Sequence, residues 1–188
     1  MATVKLNPVL QSVRGKVRDL IFSKRNGGVF ISRRPENGNR ILSVAQQAVQ
    51  ERFRQAALYG KSAMADPEVR ALYEARAKKR KQPIFSVMIE NFLKPPSIEE
   101  IDMSAYTGQA GSTISIRASD DFDVMSVEVA LFDASDSLIE RGAAVQSTTD
   151  SGRWIYTLST SIPTGSPLRV EVTATDRPGH KTTRVENI

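Results

Sequence analysis

The sequence predicts an α+β N-terminal domain, built from one β-hairpin and three helices, followed by an all-β sandwich. Three observations support this fold class. The hydropathy pattern changes from helical spacing to a period of two near residue 98, the net charge changes sign there, and the doublet Pro95-Pro96 separates the two halves. Because each proline lacks an amide donor and biases its predecessor toward extended backbone, no helix continues across this doublet.

The first predicted element is a β-hairpin over residues 17–34. Its arms are Val17–Lys24 and Val29–Arg33, and Asn26-Gly27-Gly28 supplies turn residues that accept positive φ. A two-stranded ribbon of this size is marginally stable alone in water. We therefore expect the hairpin to pack on the helices or to be completed by a strand of another chain.

Helical signals follow the hairpin. Ser43 and Gln46 have the spacing of a capping box, and Asp66 with Pro67 has the pattern of an N-cap and a first helical residue. These signals predict helices over residues 43–65, 67–81 and 84–93. In the first helix an apolar stripe recurs at helical spacing, at Ala45, Val49, Phe53 and Ala56.

Short segments with alternating polarity dominate after residue 98. They predict strands over residues 113–118, 125–132, 154–158 and 168–175, with turn-forming clusters between them. This spacing is typical of an antiparallel sandwich. We expect Trp154 to lie in its core, where an indole fills the space between two sheets.

The charge distribution sets the predicted domain boundaries. Residues 1–96 carry a net charge of +12 and residues 97–188 a net charge of −7. The boundaries that follow are a basic hairpin-plus-helices domain over 1–95, a linker over 96–100 and a β-sandwich over 101–188.

The C-terminal half contains three characteristic segments, Ile114–Asp121, Val124–Val129 and Val170–Gly179, the last with the pattern V-x-A-x-D-x-x-G. On these segments the half resembles bacterial immunoglobulin-like or fibronectin-type-III-like modules. The resemblance implies an immunoglobulin-like sandwich that serves as a spacer, decoration or adhesion module, including on phage-like particles. It implies no catalytic residues.

The N-terminal half is similar to the opening of a group of uncharacterised bacterial proteins. The similarity lies in Arg14-Gly15-Lys16-Val17, in Ala45-Gln46-Gln47-Ala48 and in Arg52-Phe53. No activity follows from it.

The composition excludes several kinds of chemistry. The chain has no cysteine and one histidine, His180, so disulfides, thiolate metal sites and cysteine nucleophiles are excluded, and triads and imidazole metal sites are disfavoured. Asn26-Gly27-Gly28 is not followed by the lysine of a phosphate-binding loop. We expect no enzymatic activity, cofactor, bound metal or small-molecule substrate.

The acidic clusters have two interpretations each. Four aspartates offer calcium ligands or, as we favour, turn residues that bind nearby backbone amides: Asp120, Asp121, Asp123 and Asp176. Glu99, Glu100 and Asp102 offer paired carboxylates for acid–base chemistry or, as we favour at a linker without a pocket signal, solvated charge. His180 is expected to be an exposed turn residue.

Two basic groups are the candidate partner-binding residues. They are Arg18, Lys24, Arg25, Arg33 and Arg34 around the hairpin, and Lys78, Lys79, Arg80 and Lys81 at a helix end. In the leading hypothesis the protein is a structural subunit of a filament, phage-like particle or surface array, and it forms homo-oligomers through its basic and acidic halves and the hairpin edge. In the alternative, the basic half binds the phosphate backbone of nucleic acid.

No targeting segment is predicted. Residues 1–10 have no continuous apolar core, and no apolar run approaches the ~20 residues of a membrane span. The expectation is cytoplasmic synthesis without a signal peptide, with an extracellular place only as part of a particle or filament.

Overall fold

The structure is a computed structural model that describes residues 2–4, 14–25, 28–34, 42–162 and 168–187. It forms two compact units, residues 1–45 and 46–188. The first unit contains four strands: β1 (Ala2–Val4), β2 (Gly15–Val17), β3 (Leu20–Arg25) and β4 (Gly28–Arg33). In the second, the helices are α1 (Val44–Ala65, which begins just before the division), α2 (Pro67–Arg80) and α3 (Ile84–Leu93). Its strands are β5 (Ser97–Asp102), β6 (Thr113–Ser119), β7 (Val124–Phe132), β8 (Leu138–Ala143), β9 (Val145–Gln146), β10 (Arg153–Thr157), β11 (Arg169–Asp176) and β12 (Lys181–Asn187).

The first unit is an antiparallel sheet with the strand order β1-β4-β3-β2. The predicted hairpin is confirmed as β3 and β4, which pair from Leu20 with Arg33 to Arg25 with Gly28. Two of its predicted turn residues, Asn26 and Gly27, lie outside the described residues. Strands of the same chain complete the hairpin on both sides, so it needs no strand from another chain.

The three helices are confirmed within a few residues of their predicted bounds. Asp66 caps α2, since its Oδ1 accepts hydrogen bonds from the amides of Glu68 at 2.9 Å and Val69 at 3.2 Å. Lys81 ends α2 in the left-handed conformation, with φ of 54°. Among the described helices, none has both the length and the apolar character to cross a membrane.

The buried residues of α1 all lie in its second half. Ala56, Gly60 and Ala63 are buried, whereas Val49 and Phe53 of the same predicted stripe are 65% and 55% exposed. Gly60 permits a close approach to α3, because a Cβ atom there would lie 2.8 Å from the Phe85 ring. The apolar stripe therefore predicted the helix correctly but overstated its buried length.

The remaining strands form two antiparallel sheets, with orders β5-β6-β10-β9 and β12-β11-β7-β8. Inward residues of β6 and β11 alternate with outward ones, as predicted, and the inward ones form one apolar core. Trp154 lies in this core, 6% exposed. All four predicted strands are confirmed; β5, β8, β9 and β12 were not predicted.

The helices are attached to one end of this β-sandwich through the loop that joins β6 to β7. Phe122 of this loop is buried in the helical cluster, with its ring centroid 4.4 Å from that of Tyr73. The Arg76 guanidinium donates to the Asp121 carbonyl, and Lys94 Nζ lies 2.5 Å from the Asp121 carboxylate. A side chain from the β-region thus completes the core of the helices.

The predicted fold class, an N-terminal α+β domain followed by an all-β immunoglobulin-like sandwich, is therefore wrong. The helices lie between two β-regions and belong to the same compact unit as the later sheets. Local sequence patterns carry no information about this attachment, which depends on Phe122 and Asp121, far along the chain. Most of the predicted 96–100 linker is the start of β5. The domain boundaries, as limits of independent folding, stay a prediction.

Candidate interaction surface

Three exposed side chains form a row across the first sheet. Val17 pairs with Leu20, and Leu20 pairs with Arg33, so the three lie side by side on one face of β2, β3 and β4. We call this set the Val17–Leu20–Arg33 row. Val17 is 60% exposed and Leu20 is 43% exposed, so apolar surface stands open next to a guanidinium.

Two further arginines flank the row. Arg18 occupies the turn between β2 and β3 with φ of 48°, and its side chain is exposed. Arg34 follows β4 and is also exposed; its amide donates to the Asp19 carbonyl at 2.5 Å. The turn and the end of β4 are thereby tied together, which holds both arginines at the same end of the sheet as the row.

The other predicted residues of this group lie elsewhere on the sheet. Lys24 pairs with the buried Val29 at the opposite end of the same face. Lys16 pairs with Ile21 and so points to the other face. Arg25 ends β3, and its side chain lies outside the described part of the chain. The structure thus brings together Arg18, Arg33 and Arg34, but not Lys24.

The first unit is strongly basic. Residues 1–45 contain nine Lys and Arg against two Asp and Glu, a net charge of +7. Six of these cations are exposed and take part in no ion pair among the described residues: Arg14, Lys16, Arg18, Lys24, Arg33 and Arg34. Their charge is available to a polyanion or an acidic partner.

The second predicted basic group belongs to the other compact unit. Lys78, Lys79 and Lys81 are exposed at the end of α2. Arg80 instead lies 3.4 Å from the Glu90 carboxylate of α3 and donates to the Asp121 carbonyl, also at 3.4 Å. At least one of the four cations therefore stabilises the helices internally.

A buried chain of hydrogen bonds connects the helices to the β-sandwich. The Tyr59 and Tyr73 hydroxyls are 2.8 Å apart, and Tyr73 donates to Asn91 Oδ1 at 2.5 Å. Asn91, which is 1% exposed, donates in turn to Asp120 at 3.3 Å. Burial raises the pKa of Tyr73 well above its usual value, so this hydroxyl keeps the proton that it donates.

The four aspartates considered as calcium ligands are engaged by protein groups. Asp120 accepts from the amides of Phe122 and Asp123, and Asp121 pairs with Lys94. Asp123 lies 3.9 Å from Arg177. Within the described ranges, no three His, Asp or Glu side chains converge as a metal site would require.

Asp176 binds His180 across the turn between β11 and β12. The buried carboxylate accepts from the His180 amide at 2.6 Å and faces the ring Nδ1 at 2.9 Å. The ring also contacts Phe92 edge-on, at 4.6 Å between centroids. His180 was expected to be an exposed turn residue; it lies in the turn, but it is half-buried by these contacts. In the described residues, no hydroxyl nucleophile is hydrogen-bonded to this ring.

Beside Asp120, the β-sandwich has a cavity of about 200 Å³ lined by polar and apolar groups, among them Ser119, Asp123 and Gln146. Asp120 Oδ1 is buried and accepts no hydrogen bond in the described part of the chain. The volume suits several water molecules. The Ser119 hydroxyl in the lining donates to the Glu99 carboxylate at 2.5 Å, and no histidine is among the described lining residues.

Of the carboxylates in the described ranges, Glu140 is the one most strongly stabilised by its surroundings. Burial by itself would raise its pKa, but hydrogen bonds from the Tyr156 hydroxyl at 2.6 Å and from the amides of Ser159 and Thr160, both at 2.8 Å, lower it to about 2. A carboxyl whose pKa is lowered by folding stabilises the folded state at pH values above its pKa in the unfolded chain. This contribution is lost as the pH falls toward about 2.

We expect Glu140→Gln to lower the free energy of unfolding at neutral pH by about 2 kcal/mol, since charge-assisted hydrogen bonds are lost. The difference from wild type should shrink as the pH falls from about 4.5 toward about 2, because the wild-type carboxylate is then protonated. Urea unfolding across this range measures it. Glu128→Gln is the control, because its exposed pair with Arg141 is worth about 0–1 kcal/mol. A pH-independent loss in Glu140→Gln would contradict the prediction.

Sequence reasoning identified the arginines of this surface but missed its apolar part. Val17 and Leu20 were placed within one arm of the hairpin, whereas a two-residue turn lies between them. That turn, Arg18-Asp19, lacks the glycine or asparagine that usually marks a left-handed residue.

Comparison with known proteins gives a limited result. No family model matches the chain, and no curated protein matches it. Among solved structures, CopC from Methylosinus trichosporium OB3b is 12% identical, with a TM-score of 0.39 over 49% of this chain and 89% of that chain. A crystallised engineered protein is 22% identical, with a TM-score of 0.37 over 49% of this chain and 19% of that one. Neither likeness indicates what this chain does.

Proposed function

We propose that the protein is a non-enzymatic structural subunit that assembles with other copies through the first sheet. One observation carries this proposal: the Val17–Leu20–Arg33 row combines two exposed apolar side chains with an exposed guanidinium group. Protein interfaces have this composition, an apolar centre in which arginine is enriched and a polar rim. The product of such assembly would be a filament, a phage-like particle or a surface array.

The contacts that engage the one histidine and the best-stabilised carboxylate support a non-enzymatic role. Where the structure describes the chain, the one histidine is held by Asp176 and Phe92, and the best-stabilised carboxylate, Glu140, is used by a tyrosine and two amides. Both arrangements stabilise turns and strands. Neither leaves a base beside a nucleophile.

Nucleic-acid binding is the second candidate, and the six exposed cations of the first unit favour it. Each phosphate that such cations neutralise releases counterions, so binding of this kind depends steeply on salt. Exposed apolar side chains such as Val17 and Leu20 add nothing to contacts with a phosphate backbone. For this reason we rank assembly first.

The two candidates differ in their response to Arg33→Glu with Arg34→Glu. If the row mediates assembly, nuclease-treated wild type should form higher-order species in size-exclusion chromatography and electron microscopy, and the variant should be a folded monomer. The matched control is Arg14→Glu with Lys16→Glu. It makes the same change of charge, but the side chain of residue 16 lies on the face of the sheet opposite the row. Equal loss in both variants would contradict the proposal. An unchanged oligomeric state with a flatter salt dependence of DNA affinity would favour nucleic-acid binding.

A further inference from the structure

A pair of glutamates is exposed at the edge of the β-sandwich because of a β-bulge. Along β5, Ile98 pairs with Ala118, but the next paired residue is Glu100, which lies opposite Arg117. Glu99 is therefore an extra residue in the strand. In a regular strand one of two successive side chains would point into the core; the bulge leaves both Glu99 and Glu100 exposed.

These two carboxylates have no cationic partner among the described residues. Arg117, the cross-strand neighbour of Glu100, pairs with Asp150 at 3.2 Å instead. Glu99 accepts from the Ser119 hydroxyl at 2.5 Å, which leaves its charge unbalanced. The pair thus presents two negative charges to solvent from a rigid strand.

The same edge is closed to a further strand. The Arg184 guanidinium of β12 donates to the carbonyls of Ile98 at 3.4 Å and Glu99 at 2.7 Å, so these acceptors are occupied. The charge of Arg184 is itself balanced by Glu186, at 2.6 Å. A further strand therefore finds no free carbonyl at Ile98 or Glu99, whereas the two glutamate side chains stay exposed.

We propose that Glu99 and Glu100 of one copy bind Arg33 and Arg34, beside the Val17–Leu20–Arg33 row, of a second copy. This inference rests on the proposed function and names the acidic partner of the basic sheet. Guanidinium groups bind carboxylates through paired, charge-assisted hydrogen bonds, and each surface has the charge that the other lacks. Such a head-to-tail contact leaves one surface of each kind free, so it propagates into rings or open filaments.

Two charge-reversal variants test this contact. The first is Arg33→Glu with Arg34→Glu, and the second is Glu99→Arg with Glu100→Arg. Each should weaken self-association by about 100-fold or more and be monomeric alone, because like charges then face each other. In an equimolar mixture, the intact row of the second variant meets the intact glutamates of the first. We therefore expect the two variants to form a complex with each other in the mixture, as measured by sedimentation velocity. High salt should dissociate this complex.

The outcomes separate this inference from the proposed function. If the glutamate variant assembles like wild type, or if the mixture stays monomeric, the inference is overturned while assembly through the row stands. If nuclease-treated wild type never assembles, the proposed function fails as well. Glu51→Arg with Glu74→Arg is the matched control, since it makes the same charge change on exposed helical positions and should leave assembly unaltered. Glu99→Gln with Glu100→Gln disturbs folding less than the reversal to arginine does. It should also weaken self-association, because it removes both negative charges.

Discussion

Leu131→Ala is expected to lower the free energy of unfolding by about 2–5 kcal/mol. Leu131 lies on β7 and is fully buried in the core between the two sheets. Shortening it removes apolar contacts and leaves a cavity that the surrounding β-branched side chains fill only in part. Chemical unfolding measures the change. Leu138→Ala is the matched control, because Leu138 is 52% exposed and its truncation should alter stability by at most about 0.5 kcal/mol.

The same experiment shows whether the helices and the β-sandwich unfold together. Trp154 is the one tryptophan of the chain and reports on the β-sandwich, whereas the helical circular dichroism reports on α1, α2 and α3. Because Phe122 joins the two cores, we expect Leu131→Ala to shift both signals to the same lower midpoint. A helical signal that keeps its wild-type midpoint would contradict this expectation and would favour the boundary at residues 95 and 96.

Asn91→Asp is expected to lower the free energy of unfolding by about 3–5 kcal/mol at neutral pH. The substitution places an uncompensated charge in the buried chain of hydrogen bonds that connects the helices to the β-sandwich. Asn91 Nδ2 lies 3.3 Å from the Asp120 carboxylate, so the substitution would set two carboxylates at that distance. Burial already raises the pKa of Asp120, and nearby Asp176 adds to this effect. The two groups would share a proton, and the loss should diminish as the pH is lowered.

Asn91→Ala separates the charge from the lost hydrogen bonds. It removes both contacts of the amide and should cost about 1–3 kcal/mol with little dependence on pH in the acid range. Thermal unfolding of both variants between about pH 4 and about pH 7 tests the difference. If Asn91→Asp were as stable as wild type at neutral pH, the buried connection between α3 and the β6–β7 loop would not exist as described.

The secondary structure was predictable wherever a local signal determines it. Asp66 and Pro67 specify the start of α2 by their own chemistry, and alternation in β6 follows from its burial on one face. The attachment of the helices was not predictable, because Phe122 lies in a loop whose composition indicates only a turn. The two prolines at 95 and 96 end a helix, as expected, but ending a helix does not separate two cores.

The candidate surface was predictable in its charge and not in its geometry. Arg33 and Arg34 are evident in the sequence, but their neighbours depend on which residues pair across strands. A two-residue turn at Arg18-Asp19 divides the predicted arm into two strands, and a bulge at Glu99 adds one residue to β5. Neither feature has a distinctive residue type. The pairing of Val17 with Leu20 and the exposure of Glu99 follow from the turn and the bulge, so composition alone does not reveal them.

The insertion of Phe122 into the helical cluster also sets an order of events during synthesis. The helices α1 to α3 end at Leu93, so they leave the ribosome well before residue 122 does. Until then Tyr73 and Met88 lack the ring that covers them, and a nascent chain of this length exposes apolar helix surface. Cooperative folding of the whole second unit therefore waits for its β-strands, and a chain that terminates before residue 122 is a substrate for chaperones or proteases.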